Sequence, residues 1–336
     1  MCKKVLVMGG TGAMGVYVVP ELRKLGYKVD VLSLDEIHSD DPELRYFVGN
    51  GHDEALLAEL FKNNYDGIID FMIYGTEEFR SRYEMLLKAT GHYVYLSSYR
   101  VYADSQPITE ESPQLLDVST DEEYQASDDY SLYKARGEDI LEASPYRNWT
   151  AVRPAVTYSQ RRYQLVTLEA NTLITRARAG KPVILPEEAR NVQGTMTWAG
   201  DVARMFAAVL FNEEAKCQHY TFCTAEHQTW ETIAGYYEEL IGLKVKWIPR
   251  EEYLRTMAPS GAAYNAVKWQ LDYDRLYNRV MDNSKILKLA GLKQSDLMPL
   301  KEGLKLELSN LPADVEFVDK PGYNERMDAY LAAHQA

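Results

Sequence analysis

Positive charge, cysteine and long apolar runs are all scarce in this chain, and each shortage closes off a class of function. Its 37 lysines and arginines face 50 aspartates and glutamates, for a formal net charge of −13. A surface of that sign repels phosphate backbones and anionic headgroups, so nucleic acid and membrane are poor partners. No apolar stretch approaches the roughly eighteen residues of a spanning helix. Residues 4–8, apolar after Lys4, are too short for the core of a secretory signal, and they run straight into a glycine loop. Cys2, Cys217 and Cys223 are odd in number and share no metal-ligand spacing, which points to a reduced, cytoplasmic setting. The histidines are scattered, with no pair one helical turn apart, so no metal site is expected. Internal repeats and low-complexity tracts are missing as well.

What is present is a soluble-enzyme composition spread over 336 residues, more than one average core serves, so two lobes are expected. The first half alternates short β-branched runs with amphipathic stretches, the pattern of parallel βαβ units. It predicts strands over 4–8, 29–34, 45–48, 66–73, 93–97 and 150–153. Helices are expected over 14–25, 54–63, 77–89 and 130–143. Strands such as Val5-Leu6-Val7-Met8 show little polar alternation, which fits a sheet covered on both faces. Residues 102–129 are acidic and rich in Ser, Pro and Asp, and are expected to form a long active-site loop. Beyond residue 155 the pattern loosens, with helices expected near 165–179 and 230–241 among strand pieces at 183–185 and 245–248.

The segment Gly9-Gly10-Thr11-Gly12-Ala13-Met14-Gly15 joins the first strand to the first helix. Glycines there permit a tight turn, let the backbone approach a pyrophosphate and allow close helix–strand packing, while the helix N-terminus offers free N–H groups. The expected fold is therefore α/β, a Rossmann-type doubly wound parallel sheet over residues 1–155 with a return segment at 195–215. A smaller C-terminal α/β lobe over 156–336 mainly binds substrate. Gly9, Thr11, Gly12, Ala13, Met14 and Gly15 are the first candidate cofactor contacts.

The spacing Gly-x-x-Gly-x-x-Gly resembles that of the short-chain dehydrogenase/reductase superfamily, and more closely its extended branch, the NAD-dependent epimerase/dehydratase family. The resemblance continues through Leu96-Ser97-Ser98-Tyr99-Arg100-Val101-Tyr102, Tyr130-Ser131-Leu132-Tyr133-Lys134, Arg153-Pro154 and Trp198-Ala199-Gly200-Asp201-Val202-Ala203, in the family's order over about residues 3–210. Tyr130 and Lys134 lie one turn apart on a helix face. An ammonium beside a phenol favours the phenolate, which can take or give the proton of a substrate hydroxyl. A second match, Tyr264 and Lys268, is read as coincidence in a chain with 25 tyrosines, because only Tyr130 falls between strands five and six. The resemblance implies Ser98 as the third catalytic residue, with Ser97 as its weaker alternative.

The remaining cofactor candidates come from strand ends, where open α/β sheets bind ligands. They are Asn50 and Gly51 for the adenine, Phe71, Met72 and Ile73 beside the nicotinamide ribose, and Ser97 and Pro154 with Tyr130 and Lys134. The family's ribose-gripping acid is replaced by Ser33, with Asp35 two residues on, and no basic residue there meets a 2′-phosphate. NAD is preferred on that ground, with NADP left open. Tyr99 and Arg100 occupy the positions of the dehydratases' extra acid and base, which disfavours a 4,6-dehydratase. Gly194 stands where many members carry a diphosphate-binding arginine, leaving Arg161, Arg162 or Arg190 to substitute.

The resemblance thus implies an NAD(P)-dependent enzyme acting on a small, sugar-like molecule, either a sugar or nucleotide-sugar epimerase or a reductase/dehydrogenase. A homodimer built on two helices per subunit is also implied. A non-catalytic dinucleotide-binding regulator or RNA-binding relative is the alternative from another class. The intact Tyr130 and Lys134 and the acidic charge argue against it.

Overall fold

The computed structural model describes residues 2–258, 260–319 and 322–334. Seven strands form one parallel sheet: β1 (Lys4–Met8), β2 (Lys28–Ser33), β3 (Leu44–Val48), β4 (Tyr65–Asp70), β5 (Thr90–Leu96), β6 (Trp149–Pro154) and β7 (Gln218–Phe222). Their order is β7-β6-β5-β4-β1-β2-β3. Alternate residues of β1 enter different cores. Val5 and Val7 meet Val18 and Leu22 of helix Gly15–Lys24 and Phe206 and Val209 of helix Ala199–Val209. Leu6 and Met8 meet Leu57, Phe79, Leu86 and Leu141 of helices on the other face. Burial on both faces explains why β1 lacks polar alternation. Because every pairing in the sheet is parallel, all strand C-termini share one edge, and the strand order reverses between β1 and β4. That reversal opens a crevice at the tip of β1.

Four expectations about elements are corrected, the last of them in the second lobe. The strand expected over 66–73 stops at Asp70, whose carboxylate accepts the Met72 N–H at 2.9 Å and turns the chain out of the sheet. The segment returning at 195–215 runs on to β7, which pairs with β6 through Phe222. Only the inner half of Gln-His-Tyr-Thr-Phe is buried, so no apolar run marks this edge strand. Residues 102–129 are a strap, not an active-site loop. Ile108 bonds the backbone of Val280 and Asp282, and Tyr124 packs against Trp269 and Tyr273 with ring centroids 5.5 and 4.3 Å apart. Asp121 accepts the Tyr273 hydroxyl at 2.7 Å and Glu110 accepts the Thr221 N–H of β7 at 2.7 Å, so the strap ties the C-terminal segment to the sheet.

The second core lies beyond β6. Strands Val183–Pro186 and Val245–Ile248 pair in parallel, flanked by helices Ala170–Arg178, Trp230–Ile241 and Arg250–Met257, which bury Leu173, Ile233, Tyr237 and Leu254 together. The helix expected from 165 begins at Ala170, because Gln164–Leu165 and Leu168–Glu169 first form a tight antiparallel hairpin. Helix Ser284–Ala290 crosses back to the sheet and adds Ile286 and Leu287 to the first core.

Candidate active site

The glycine loop follows β1 at the crevice. Gly9 has a φ of +72°, a conformation that other residues adopt only under strain. A Cβ on Gly15 would lie 2.3 Å from the Gly10 carbonyl oxygen, so helix Gly15–Lys24 reaches the loop only because this position is bare. Among the described residues, the N–H groups of Ala13 and Met14 find no acceptor within the chain. They are the free donors of a helix start, on two residues that line the cavity at the crevice. Bare backbone, unpaired donors and the absence of side chains together fit a pyrophosphate.

Helix Tyr130–Ala143 begins at Asp129, whose carboxylate accepts the Ser131 N–H at 3.1 Å. Tyr130, Lys134 and Glu138 follow one another at single-turn intervals along it. A Cβ on Gly137 would lie 2.2 Å from the Tyr95 phenol oxygen, so this helix sits unusually low on β5. Glu138 is held by Arg153 of β6 through Nε–Oε1 at 2.9 Å and Nη2–Oε2 at 2.6 Å, both side chains buried. Burial opposes the ionisation of Glu138, but the Arg153 guanidinium outweighs it and keeps the carboxyl below its ordinary range. Arg153 also donates to the Tyr102 hydroxyl at 2.9 Å. The Arg153 and Tyr102 of the resembling motifs are therefore anchors of this helix.

A cavity of about 490 Å³ opens between the glycine loop and the second lobe. It brings together Gly9, Gly12, Ala13, Met14, Gly15, Phe71, Ile73, Ser97, Ser98, Tyr130 and Pro154. Ser98 caps the turn Tyr99–Val101, its hydroxyl accepting the Arg100 N–H at 3.2 Å. Lys134 lies beneath the wall. It is fully buried, and its Nζ donates to the Leu96 carbonyl at 2.6 Å, 5.9 Å from the Tyr130 ring centroid. Burial pulls its ammonium down to about 8 against the opposing pull of Asp70 and Glu138.

Other expected cofactor contacts lie off this cavity. Thr11 and Ser33 join their hydroxyls at 2.6 Å, and the Asp35 N–H donates to Ser33 at 3.0 Å. Ser33 thereby ties the glycine loop to the tip of β2, and Asp35 is left exposed beyond it. Asn50 accepts the His52 N–H at 3.0 Å, and Gly51 is pressed against Met72, whose sulfur would be 2.8 Å from a Cβ there. Of the three arginines weighed as substitutes at Gly194, only Arg162 lines the cavity. Arg190 is paired with Glu231 at 2.9 Å, and Gly194 itself abuts the Trp230 ring. Tyr264 and Lys268 stand away from the cavity on helix Gly261–Gln270.

The remaining wall went unread in the sequence. Arg100 lays its guanidinium 5.1 Å from the Tyr130 ring centroid, and its Nε is buried without a hydrogen-bond partner. Arg275 enters from the C-terminal segment, donating to the Val166 carbonyl at 2.7 Å and to the Tyr99 hydroxyl at 2.5 Å. Gln164, Glu169 and Gln270 complete that side. No local pattern marks Arg275 or Gln270, because their neighbours lie far away in sequence. Arg100 carried a signal as the misfit at a dehydratase base position, and Arg162 as a substitute for the arginine missing at Gly194.

A family model described as the NAD dependent epimerase/dehydratase family matches residues 5–222. Among solved structures, an epimerase from Methanothermobacter thermautotrophicus is similar with a TM-score of 0.70 at 16% identity, covering 92% of this chain and 91% of its own. A UDP-glucose 4-epimerase from Thermus thermophilus, solved with NAD, has a TM-score of 0.66 at 18% identity, covering 93% and 100%. At these identities the likeness establishes the fold. A curated relative, the chloroplast stem-loop binding protein of 41 kDa b of Arabidopsis thaliana, is 25% identical over 248 residues. That alignment takes in 69% of this chain and 61% of the relative, so the chain spans about three-fifths of the relative's length.

Proposed function

The chain belongs to the NAD dependent epimerase/dehydratase family, and from that premise we propose that it is a sugar or nucleotide-sugar epimerase with NAD as its cofactor. The observation that carries this reading is the meeting of Tyr130 and Ser98 with the glycine loop in one cavity. NAD would be held by the loop from Gly9 to Gly15 and by the strand-end residues Phe71, Ile73 and Pro154. When bound, it supplies the acceptor and donor of a hydride. The Tyr130 oxygen takes the proton of a substrate carbinol as the carbon is oxidised, and returns it when the carbon is reduced from its other face. The Ser98 hydroxyl holds the reacting oxygen at the phenol. Lys134, behind the wall, supplies positive charge to that proton transfer.

Net redox change is zero in this cycle, which distinguishes an epimerase from a reductase or dehydrogenase using the same residues. A 4,6-dehydratase is disfavoured, since Tyr99 and Arg100 replace its acid and base. A homodimer accompanies the reading by family resemblance, and a reduced, cytoplasmic setting accompanies it by the three free cysteines. The test is turnover of a nucleotide-hexose panel with and without added NAD, alongside cofactor binding by Tyr130→Phe. An epimerase keeps NAD through purification and needs none added. Tyr130→Phe is expected to bind NAD normally and to lose about 10²- to 10⁴-fold in kcat. A requirement for added cofactor, consumed stoichiometrically, overturns the epimerase in favour of a dehydrogenase.

One observation favours a second reading, RNA binding: the 25% identity to a stem-loop binding protein. Against it stands the net charge of −13, since RNA binders need a basic surface to neutralise phosphates. Tight, salt-dependent binding of a hairpin RNA by a protein inactive on every sugar would support it.

A further inference from the structure

Three guanidiniums converge on one carboxylate at the inner wall of the cavity. Asp274 Oδ1 receives Arg279 Nε at 3.0 Å. Its Oδ2 receives the Tyr99 hydroxyl at 3.0 Å and Arg275 Nη1, and stands 3.6 Å from Arg100 Nε, too far for a hydrogen bond. Burial opposes ionisation of Asp274, yet Arg275, Arg279 and Arg100 together hold it below the usual carboxylate range, so it is charged. The second acid in reach, Asp129, is 3.7 Å from Arg100 Nη2 and is already engaged by Ser131.

Three formal positive charges therefore meet two negative ones, in a chain whose net charge is strongly negative. Arg279 is satisfied by the carbonyls of Tyr102, Ala103 and Tyr273. The surplus charge thus faces the cavity through Arg100 and Arg275, both of which line it. The other ions of the wall, Arg162 and Glu169, offset each other at 3.5 Å.

We propose that Arg100 and Arg275 form a subsite for a carboxylate carried by the sugar itself, so that the preferred substrate is an acidic sugar. The proposal rests on the sugar-substrate reading above and narrows it. Arg100 overlies the Tyr130 ring, so the bound anion lies close to the reacting carbinol rather than at the distant anomeric phosphates. One surplus charge matches a singly charged group, and a guanidinium presents its donors in the plane that a carboxylate needs.

The test is calorimetric binding of UDP-glucose and UDP-glucuronate to the NAD-loaded protein. These two differ only in CH₂OH against CO₂⁻ at C6, so their shared diphosphate cancels. Wild type is expected to bind the glucuronate tighter by about tenfold to a hundredfold, the range of one charge-assisted hydrogen bond. Arg100→Gln should abolish that preference by weakening UDP-glucuronate at least tenfold more than UDP-glucose, and Arg100→Lys should keep part of it. Arg100→Gln is expected to unfold cooperatively near the wild-type temperature, since Arg275 and Arg279 still neutralise Asp274. Equal affinity of wild type for the two sugars overturns the acidic-sugar proposal and leaves the epimerase reading standing. So does an equal loss of both in Arg100→Gln. Tight NAD binding with neither sugar bound overturns the sugar reading and this proposal together.

Discussion

Glu138 and Arg153 form a bidentate pair sealed from water two helical turns beyond Tyr130, and this pair ties that helix to β6. Removing one member leaves the other charged, buried and unpaired, a defect of about 3–5 kcal/mol. Glu138→Gln or Arg153→Met alone should therefore lower unfolding free energy by that order in urea titrations. The double variant Glu138→Leu/Arg153→Met should recover much of the loss. A double variant as unstable as the sum of the two singles would mean that the pair is not coupled.

Lys134 is expected to trade stability for activity. Its ammonium is pulled down to about 8 by burial, against an ordinary value near 10.4 in the unfolded chain. The folded value is the lower one, so the unfolded chain holds the proton more tightly between those limits. Stability should rise as pH climbs from about 8 to about 10 and should carry a penalty of up to about 3 kcal/mol at neutral pH. Lys134→Met should remove both the penalty and the alkaline rise, with catalysis lost. Denaturation at pH 7 and pH 10 checks the sign; a variant less stable than wild type at pH 7 would refute it.

Legibility followed the range of the interactions. The glycine loop and the helix starting at Tyr130 are local, so spacing and periodicity located them to within a residue or two. Ser98 and Tyr130 were placed by motif order and do share a cavity. The opposite wall was opaque because its contacts close loops of great length: Arg275 bonds Val166, and Tyr99 bonds Asp274. The strap at 102–129 was misjudged for the same reason. Its acidic, aperiodic composition reads as an exposed loop until Trp269, Tyr273 and Val280 are brought against it. β7 was missed because an edge strand half covered by solvent needs no apolar run.

Gly15→Ala should separate cofactor binding from the rest of the fold. The added methyl meets the Gly10 backbone at 2.3–2.6 Å, and no flexible side chain is available to give way. Relief requires moving the glycine loop or lifting helix Gly15–Lys24, at a cost of about 1–3 kcal/mol. NAD affinity should fall by about fivefold to a hundredfold, since each 1.4 kcal/mol of displacement is a factor of ten. Fluorescence titration with NADH measures the loss, and far-UV circular dichroism should stay unchanged. Undiminished NADH affinity would show that the dinucleotide does not rely on this loop.

His92 should govern part of the acid limit of stability. Its Nδ1 accepts the Phe211 N–H at 2.9 Å, so the neutral ring carries its proton on Nε2, 2.8 Å from the Thr150 hydroxyl. Thr150 passes its own proton to the Ala215 carbonyl at 2.6 Å, and the ring is therefore committed to the neutral form. Burial, helped by the charge of Lys216, pushes its titration down to about 4. In the unfolded chain the ring takes up a proton near pH 6.5. Between those values the unfolded state binds the extra proton, so the contribution of His92 is complete above pH 6.5 and drains away as pH falls toward 4. The full loss is up to about 3 kcal/mol for this one ring. His92→Gln offers an amide in place of the ring and has nothing to titrate. Its unfolding free energy should fall less steeply across that window, by up to one proton's worth of slope in urea titrations at successive pH values. An unchanged slope would place the acid sensitivity elsewhere, with His219 the next group to test, because burial draws it down to about 4 as well.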